Sequence, residues 1–261
     1  MKDDTPSVDD VIVMSSSPEN FFENLKLHIS LSTIKQIELL THGQSENSLW
    51  YDFRKCVVTA SIAHDAQTKV AKLEKDMTPD FWSLFQKVCG NAFVSPNIPA
   101  LKYGREMEPI AATKFIDIFS KTHKNVKVDT CGLYLHSSFP FIGASPDGIV
   151  HCSCCESACL EIKCPYSINY TSPTNLDLKL PYLKFESDKF SLNKNHKYFT
   201  QCQLQMAVTN TKKCYFFVWT SHGYIVDEID FDKEFCDLLL NRLKKFYSLF
   251  LDFTYSTKKE N

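Results

Sequence analysis

Between Gly143 and Pro165 the chain reads GASPDGIVHCSCCESACLEIKCP, and near its end two charges interrupt an apolar run. Successive side chains of a strand alternate faces, so Glu161 and Lys163 share one face. Ile162 points the other way, into a core, and still offers its backbone carbonyl. Pro165 closes the segment, because proline cannot continue a central strand. Upstream, Pro146 and Gly148 bracket Asp147 in turn chemistry that fixes its direction. A fold built on this stretch must bury one side of a strand while holding a carboxylate and an amine on the other, with a second carboxylate at the adjoining turn. Hard divalent cations such as Mg²⁺ take oxygen ligands from one or two carboxylates plus water and substrate phosphate. The chemistry this set points to is hydrolysis of a phosphodiester. The plainer reading of the same residues is a surface hairpin with a Glu–Lys pair.

The remaining composition narrows the setting. A chain of 261 residues, 44% hydrophobic and 13% aromatic, can enclose a large core as one globular unit. A net charge of −2 supplies no global attraction to a polyanion, so contact with nucleic acid must come from a local basic patch. No apolar run approaches the roughly 18 to 20 residues that cross a bilayer. The opening MKDDTPSVDD is acidic and lacks a basic-then-apolar signal. The expectation is a soluble, intracellular chain without a membrane partner, nucleus and cytoplasm being undistinguished. Eleven cysteines, an odd number in a chain too long to need staples, point to reduced thiols.

Residues 1–17 are polar, acidic and Ser-rich and read as a flexible leader. Apolar spacing predicts two short helices over 20–40, with Ser32 capping the second and Gly43 ending it. Further helices are expected after Trp50, over 81–88, over 105–121, over 198–208 and over 233–251. Strands are expected over 127–135, 141–144, 148–151, 160–163, 214–220 and 224–229, with a largely looped 166–195.

Four blocks then carry a resemblance: RKCVVTAS at Arg54–Ser61, YGREMEP at Tyr103–Pro109, SPDG followed by LEIKCP, and YFTQCQLQM at Tyr198–Met206. In order and spacing they resemble the lambda exonuclease or YqaJ-type viral recombinase family, within the PD-(D/E)XK nuclease superfamily. The resemblance implies an α/β fold with a restriction-endonuclease-like core, a central mixed β-sheet flanked by helices, and an N-terminal helical part. It makes 18–256 a single nuclease domain. It also implies a metal-dependent DNA exonuclease acting on duplex ends, 5′ to 3′, in recombination or DNA-end processing.

Carried onto this chain, the family's roles make Asp147, Glu161 and the Ile162 carbonyl ligands of Mg²⁺, with Mn²⁺ as a substitute. Lys163 would orient or deprotonate the attacking water and stabilise charge on the phosphate. Glu108 sits three residues before Ala111 and seven before Phe115, on the inward face of its helix, and joins the site. Gln201 would bond the reacting phosphate or water, whereas Gln203 and Gln205 read as helix-surface or sheet-packing groups. Arg54, Ser61 and Ser145 would hold a 5′-phosphate, a guanidinium fork plus hydroxyls being suited to phosphate oxygens. Ser61 also fits a plain helix cap and Arg54 a surface charge. The family further implies a ring-like homotrimer and a single-strand annealing protein as partner.

The hairpin HCSCCESAC departs from the family's short polar turn. Cys152, Cys154, Cys155 and Cys159 could hold a structural Zn²⁺, or be free thiols in an exposed turn; a matching C-terminal group for an Fe–S cluster is missing. Two rival functions stay open: a catalytically silent DNA-binding module derived from a viral recombinase, and an endonuclease of the same superfamily.

Overall fold

The computed structural model describes residues 5–92, 95, 97–178 and 180–259, the last two without their side chains. Helices α1 (Val8–Met14), α2 (Pro18–His28), α3 (Leu31–Leu40) and α4 (Ser48–Arg54) lead into a short strand β1 (Val58–Thr59) and helix α5 (Ala60–Leu73). Helices α6 (Trp82–Val88) and α7 (Pro99–Phe119) follow. Strands β2 (Lys127–Asp129), β3 (Tyr134–Leu135), β4 (Ile142–Ala144), β5 (Gly148–Cys152) and β6 (Cys155–Lys163) come next. The chain closes with β7 (Leu183–Glu186), β8 (Lys189–Leu192), α8 (Lys197–Thr209), β9 (Lys213–Thr220), β10 (Gly223–Asp230) and α9 (Lys233–Lys259).

The main sheet is mixed, in the order β10-β9-β6-β5-β2, with β6 and β9 parallel and the other pairs antiparallel. A smaller sheet, β1-β4-β3, pairs β1 parallel to β4, and β7 with β8 forms a separate ribbon. Period-2 alternation makes the main sheet a wall between two cores. In β9, Cys214, Phe216 and Val218 pack on the side that includes Phe199, Cys202 and Met206 of α8. Tyr215 and Phe217 pack on the side that holds Ala111 and Phe115 of α7. A third core gathers α1 to α6, α9 and the small sheet.

Several expectations change here. The leader expected to be flexible over 1–17 is helical from Val8: Ser7 and Asp10 form a reciprocal capping box, and Val8, Val11 and Ile12 are buried against the third core. Three apolar residues at helical spacing were enough to dock it; residues 1–4 lie outside the described part. Ser30, not Ser32, caps α3, its hydroxyl accepting from the Thr33 amide at 3.2 Å. The single strand expected over 127–135 is two strands in different sheets. Gly132 presses against α3, where an added Cβ would stand 1.9 Å from the Glu38 carbonyl oxygen, and its amide donates to the Glu38 carboxylate at 3.0 Å. Part of the expected loop over 166–195 is the β7–β8 ribbon. Among the described residues no helix is long and apolar enough to cross a membrane.

Candidate active site

Strand β6 ends in Leu160-Glu161-Ile162-Lys163, and its alternation puts Leu160 and Ile162 into the α7-side core and turns Glu161 toward α8. Glu161 is 1% exposed. A buried carboxylate needs hydrogen bonds on both oxygens. The Gln201 amide donates to Oε1 at 2.6 Å and the Gln205 amide to Oε2 at 2.6 Å, while the Lys163 ammonium also donates to Oε1. Gln201 and Gln205 are one helical turn apart on α8, so a single face of that helix grips both oxygens. The side-chain amide oxygen of Gln205 is buried with no partner among the described residues.

Asp147 lies in the turn before β5. Its amide donates to the Leu160 carbonyl at 3.1 Å and its Oδ2 accepts from the Ile162 amide at 2.6 Å. The β5–β6 ladder stops at Gly148 opposite Leu160, so this side-chain bond takes over where backbone pairing ends. The N–H and C=O of one strand residue face the same edge, so the Ile162 carbonyl lies on the edge beside Asp147. The turn is held from behind by Gln44, whose amide donates to the carbonyls of Pro146 (2.8 Å) and Cys131 (3.2 Å).

Electrostatics set these groups apart. Burial pushes the Asp147 carboxyl well above the usual carboxylate range, and the charges of Glu161 and Glu108 push it further; Lys163 and the Ile162 amide oppose. Burial likewise raises Glu108, with Lys163 opposing and Glu161 adding. Glu108 is half-buried, with no hydrogen bond or ion pair among the described residues. Burial works against the charge of Lys163, but the carboxylates of Glu161 and Asp147 outweigh it and hold its pKa above the ordinary lysine value. Lys163 is thus a standing cation, suited to orienting and stabilising charge rather than to removing a proton. Three mutually repelling carboxylates beside one ammonium, with a strand carbonyl at the edge, are the donor set of a hard divalent cation, and the residues fit one.

This arrangement predicts a pH-dependent stability. Above about pH 4, where an unfolded aspartate has lost its proton, folded Asp147 retains it, so the folded state binds more protons and stability falls as pH rises. Lys163, with its pKa raised, contributes in full below the ordinary lysine value and loses that contribution only at strongly alkaline pH. In chelator-treated protein the thermal midpoint should therefore fall as pH rises from acid toward neutral, less steeply in Asp147→Asn, and Mg²⁺ should raise it most at the upper end. A midpoint insensitive to pH and Mg²⁺ would contradict the crowded carboxylate site.

The candidate phosphate residues also converge, through a residue the motif reading missed. The parallel pairing of β1 with β4 aligns Thr59 with Gly143, so Ser61 and Ser145 follow the same end of that strand pair. The Trp50 indole donates to Ser145 Oγ at 2.9 Å, and the Arg54 guanidinium sits 3.8 Å from the Trp50 ring centroid. Burial lowers the Arg54 pKa to about 10, with Tyr51 opposing. No carboxylate pairs with Arg54 among the described residues. Ser61 is not the helix cap: Thr59 occupies that position, its hydroxyl 3.1 Å from Ser61 Oγ, and no side chain accepts from the first amides of α5. Among the described residues Arg54 has no acidic partner and the first amides of α5 donate to no side chain, and each feature by itself favours an anion.

The structure gives the α8 glutamines partners and corrects the expected thiol set. Gln201 gives one amide hydrogen to Glu161 and so positions a carboxylate, with its second N–H left for the phosphate or water it was expected to bond. Gln205, expected at the surface or in sheet packing, is fully buried on the same carboxylate. Its i+4 spacing from Gln201 was the available signal. Gln203 instead ties α8 to the β10–α9 junction through the Asp230 carbonyl and the Asp232 amide, each at 2.8 Å. Cys159 does not join the hairpin thiols: it is fully buried, its sulfur 3.2 Å from the hydroxyls of both Thr209 and Thr211. The four-cysteine zinc set therefore does not assemble.

Comparison with known proteins places this geometry. A family model described as a YqaJ-like viral recombinase domain matches residues 49–212. The alkaline nuclease of Orgyia pseudotsugata multicapsid polyhedrosis virus is 24% identical over 225 residues, covering 80% of this chain and 48% of that protein. The chain thus spans about half the length of this curated relative. The crystal structure of an alkaline exonuclease (LHK-Exo) from Laribacter hongkongensis matches with a TM-score of 0.56 at 24% identity, over 81% of this chain and 95% of that one. A SOX–DNA complex matches with a TM-score of 0.59 at 15% identity, over 95% of this chain and 78% of that one. At such identities the likeness is one of fold, and the expected α/β, restriction-endonuclease-like core with its mixed sheet holds.

Proposed function

The chain belongs to the YqaJ-like viral recombinase domain family, and from that premise we propose that it is a divalent-metal-dependent DNA exonuclease that hydrolyses phosphodiester bonds from the 5′ ends of duplex DNA in recombination or end processing. The observation that carries this reading is the buried Glu161 carboxylate, gripped by Gln201 and Gln205 and set beside Lys163 and Asp147 at a strand end. Asp147, Glu161 and the Ile162 carbonyl would hold Mg²⁺, or Mn²⁺ in its place, with Glu108 at its periphery. The cation supplies charge stabilisation on the phosphoryl oxygens and acidifies the attacking water.

The chain's own residues do the rest. Gln201 and Gln205 fix the orientation of Glu161 before substrate arrives. Lys163 places a permanent positive charge against the scissile phosphate and donates a hydrogen bond to the water or to the developing charge. Arg54, steadied on Trp50, with Ser145, Ser61 and the first amides of α5, receives the 5′-phosphate and sets the end in register. A homotrimer encircling duplex and an annealing protein as partner complete the proposal; a monomer by light scattering at working concentration would remove the ring.

The test is degradation of linear duplex carrying a 5′-phosphate or a 5′-hydroxyl, beside closed circular DNA, in Mg²⁺. Phosphorylated ends should be consumed fastest and closed circles left intact. Arg54→Ala should remove the preference for phosphorylated ends, a loss of about tenfold to a hundredfold, the worth of charged hydrogen bonds to one phosphate. Cutting of closed circles would establish an endonuclease. Duplex binding without any hydrolysis would establish the silent binding module.

A further inference from the structure

The hairpin thiols separate into two sets, and a β-bulge does the sorting. Val150 pairs with Ala158 but Cys152 pairs with Cys155, so β6 carries one extra residue between these pairs. Directly opposed residues of an antiparallel pair share a face, and Val150 and Cys152, two apart on β5, share theirs. Cys152 and Cys155 therefore face the side of Val150 and Ala158, which is the core of α7. Cys159 opposes Ile149 and faces α8. In a strand of regular alternation Cys155 and Cys159, four apart, would lie on one face.

On the α7 side the sulfurs stand close. Cys152 Sγ is 3.5 Å from Cys154 Sγ, and Cys154 Sγ is 3.9 Å from Cys155 Sγ. Sulfurs bound tetrahedrally at about 2.3 Å from a zinc ion stand about 3.8 Å apart, the size of each of these two separations. A fourth donor comes from the turn after α7: a ring nitrogen of His123 lies with the sulfurs of Cys154 and Cys155 in a group whose ligand atoms are all within 4.8 Å of one another, and Cys152 adjoins that group through Cys154. The imidazole is pre-oriented. Its ring stacks on Phe119 with centroids 3.8 Å apart and planes 4° apart, and Nδ1 lies 3.3 Å from the Phe119 carbonyl oxygen. Nδ1 also lies 3.0 Å from the Thr122 hydroxyl; a proton on Nδ1 shared with these oxygens would leave the Nε2 lone pair for a metal, the arrangement common for ligating histidines.

We propose that Cys152, Cys154, Cys155 and His123 form a structural site for a thiophilic divalent cation, zinc in the first instance. Three thiolates and an imidazole select zinc over hard cations, and all four protein ligands close the site against catalysis. The site would tie the turn after α7, the helix that carries Glu108, to the hairpin that follows Asp147 and whose second strand carries Glu161. It is independent of the nuclease reading, since its test reads metal and not turnover.

The experiment measures zinc per chain in reduced full-length protein after dialysis against a weak chelator, followed by Co²⁺ titration of stripped protein. One zinc per chain is expected, with a tetrahedral thiolate–cobalt spectrum. Cys154→Ser should abolish both, and His123→Ala should weaken zinc affinity by about tenfold or more, the scale that even outer-shell changes reach. Cys159→Ser should leave metal content unchanged. Both Cys154 and His123 lie near the surface, so circular dichroism should show these variants folded. The proposal is overturned by reduced protein without stoichiometric zinc or a cobalt–thiolate spectrum, by metal binding indifferent to His123→Ala, or by Cys159→Ser losing metal as fully as Cys154→Ser.

Discussion

Alanine in place of Lys163 is expected to slow single-turnover hydrolysis of a phosphorylated linear duplex by about 10²- to 10⁴-fold, the range of a positioned proton-transfer or charge-stabilising group. Duplex binding should change little. The ammonium is only partly exposed, bonded to Glu161 and 4.8 Å from the Tyr198 ring centroid, so its position is fixed by its neighbours. Lys163→Arg should not rescue, because a planar fork is larger than the ammonium and would displace Gln201 from the shared Oε1. Lys163→Met keeps the aliphatic stem and separates loss of charge from loss of packing. A Lys163→Ala enzyme that turns over near the normal rate would remove this side chain from the chemistry.

The second large effect is on stability. Tyr247 is fully buried in α9, stacked on Phe141 with centroids 4.2 Å apart, and its hydroxyl donates to the Cys56 carbonyl at 2.8 Å. That carbonyl belongs to a residue at φ +61, the reversal between α4, which carries Arg54, and β1, which leads to Ser61. Tyr247→Ala should cost about 3–5 kcal/mol in urea unfolding, as removal of a large aromatic from a packed core does. Tyr247→Phe should cost about 1–3 kcal/mol, because the Cys56 carbonyl is left buried and unpaired. It should also weaken discrimination for the 5′-phosphate. A Tyr247→Ala loss under about 1 kcal/mol would mean that α9 does not close this core.

Much of the site could be read from local pattern, and the failures have a common origin. Asp147 in its turn and Glu161 with Lys163 on one strand face follow from turn chemistry and period 2. The inward direction of Glu108 follows from its spacing to Ala111 and Phe115, and both prove to be core residues. Gln205 was left between the helix surface and sheet packing because helical spacing tells which residues share a face but not what that face meets. Only the packing of α8 on β6 turns a glutamine into a carboxylate grip. Trp50 was overlooked for the same reason: its contact with Ser145 spans 95 residues of chain and passes through the β1–β4 pairing.

The sequence by itself determined the periodicities: which side chains share a strand or helix face, where turns and prolines stop an element, and hence the Asp147, Glu161, Lys163 and Glu108 set. The tertiary structure decided which faces meet. It docked the acidic N-terminal segment as a helix, split 127–135 between two sheets at Gly132, and through one bulge sent Cys159 to α8 and Cys155 toward His123. The physical reason is one of range. Backbone geometry propagates along an element with a fixed period, whereas the partner across a core is selected by burial and hydrogen-bond satisfaction summed over distant segments, which no local spacing encodes.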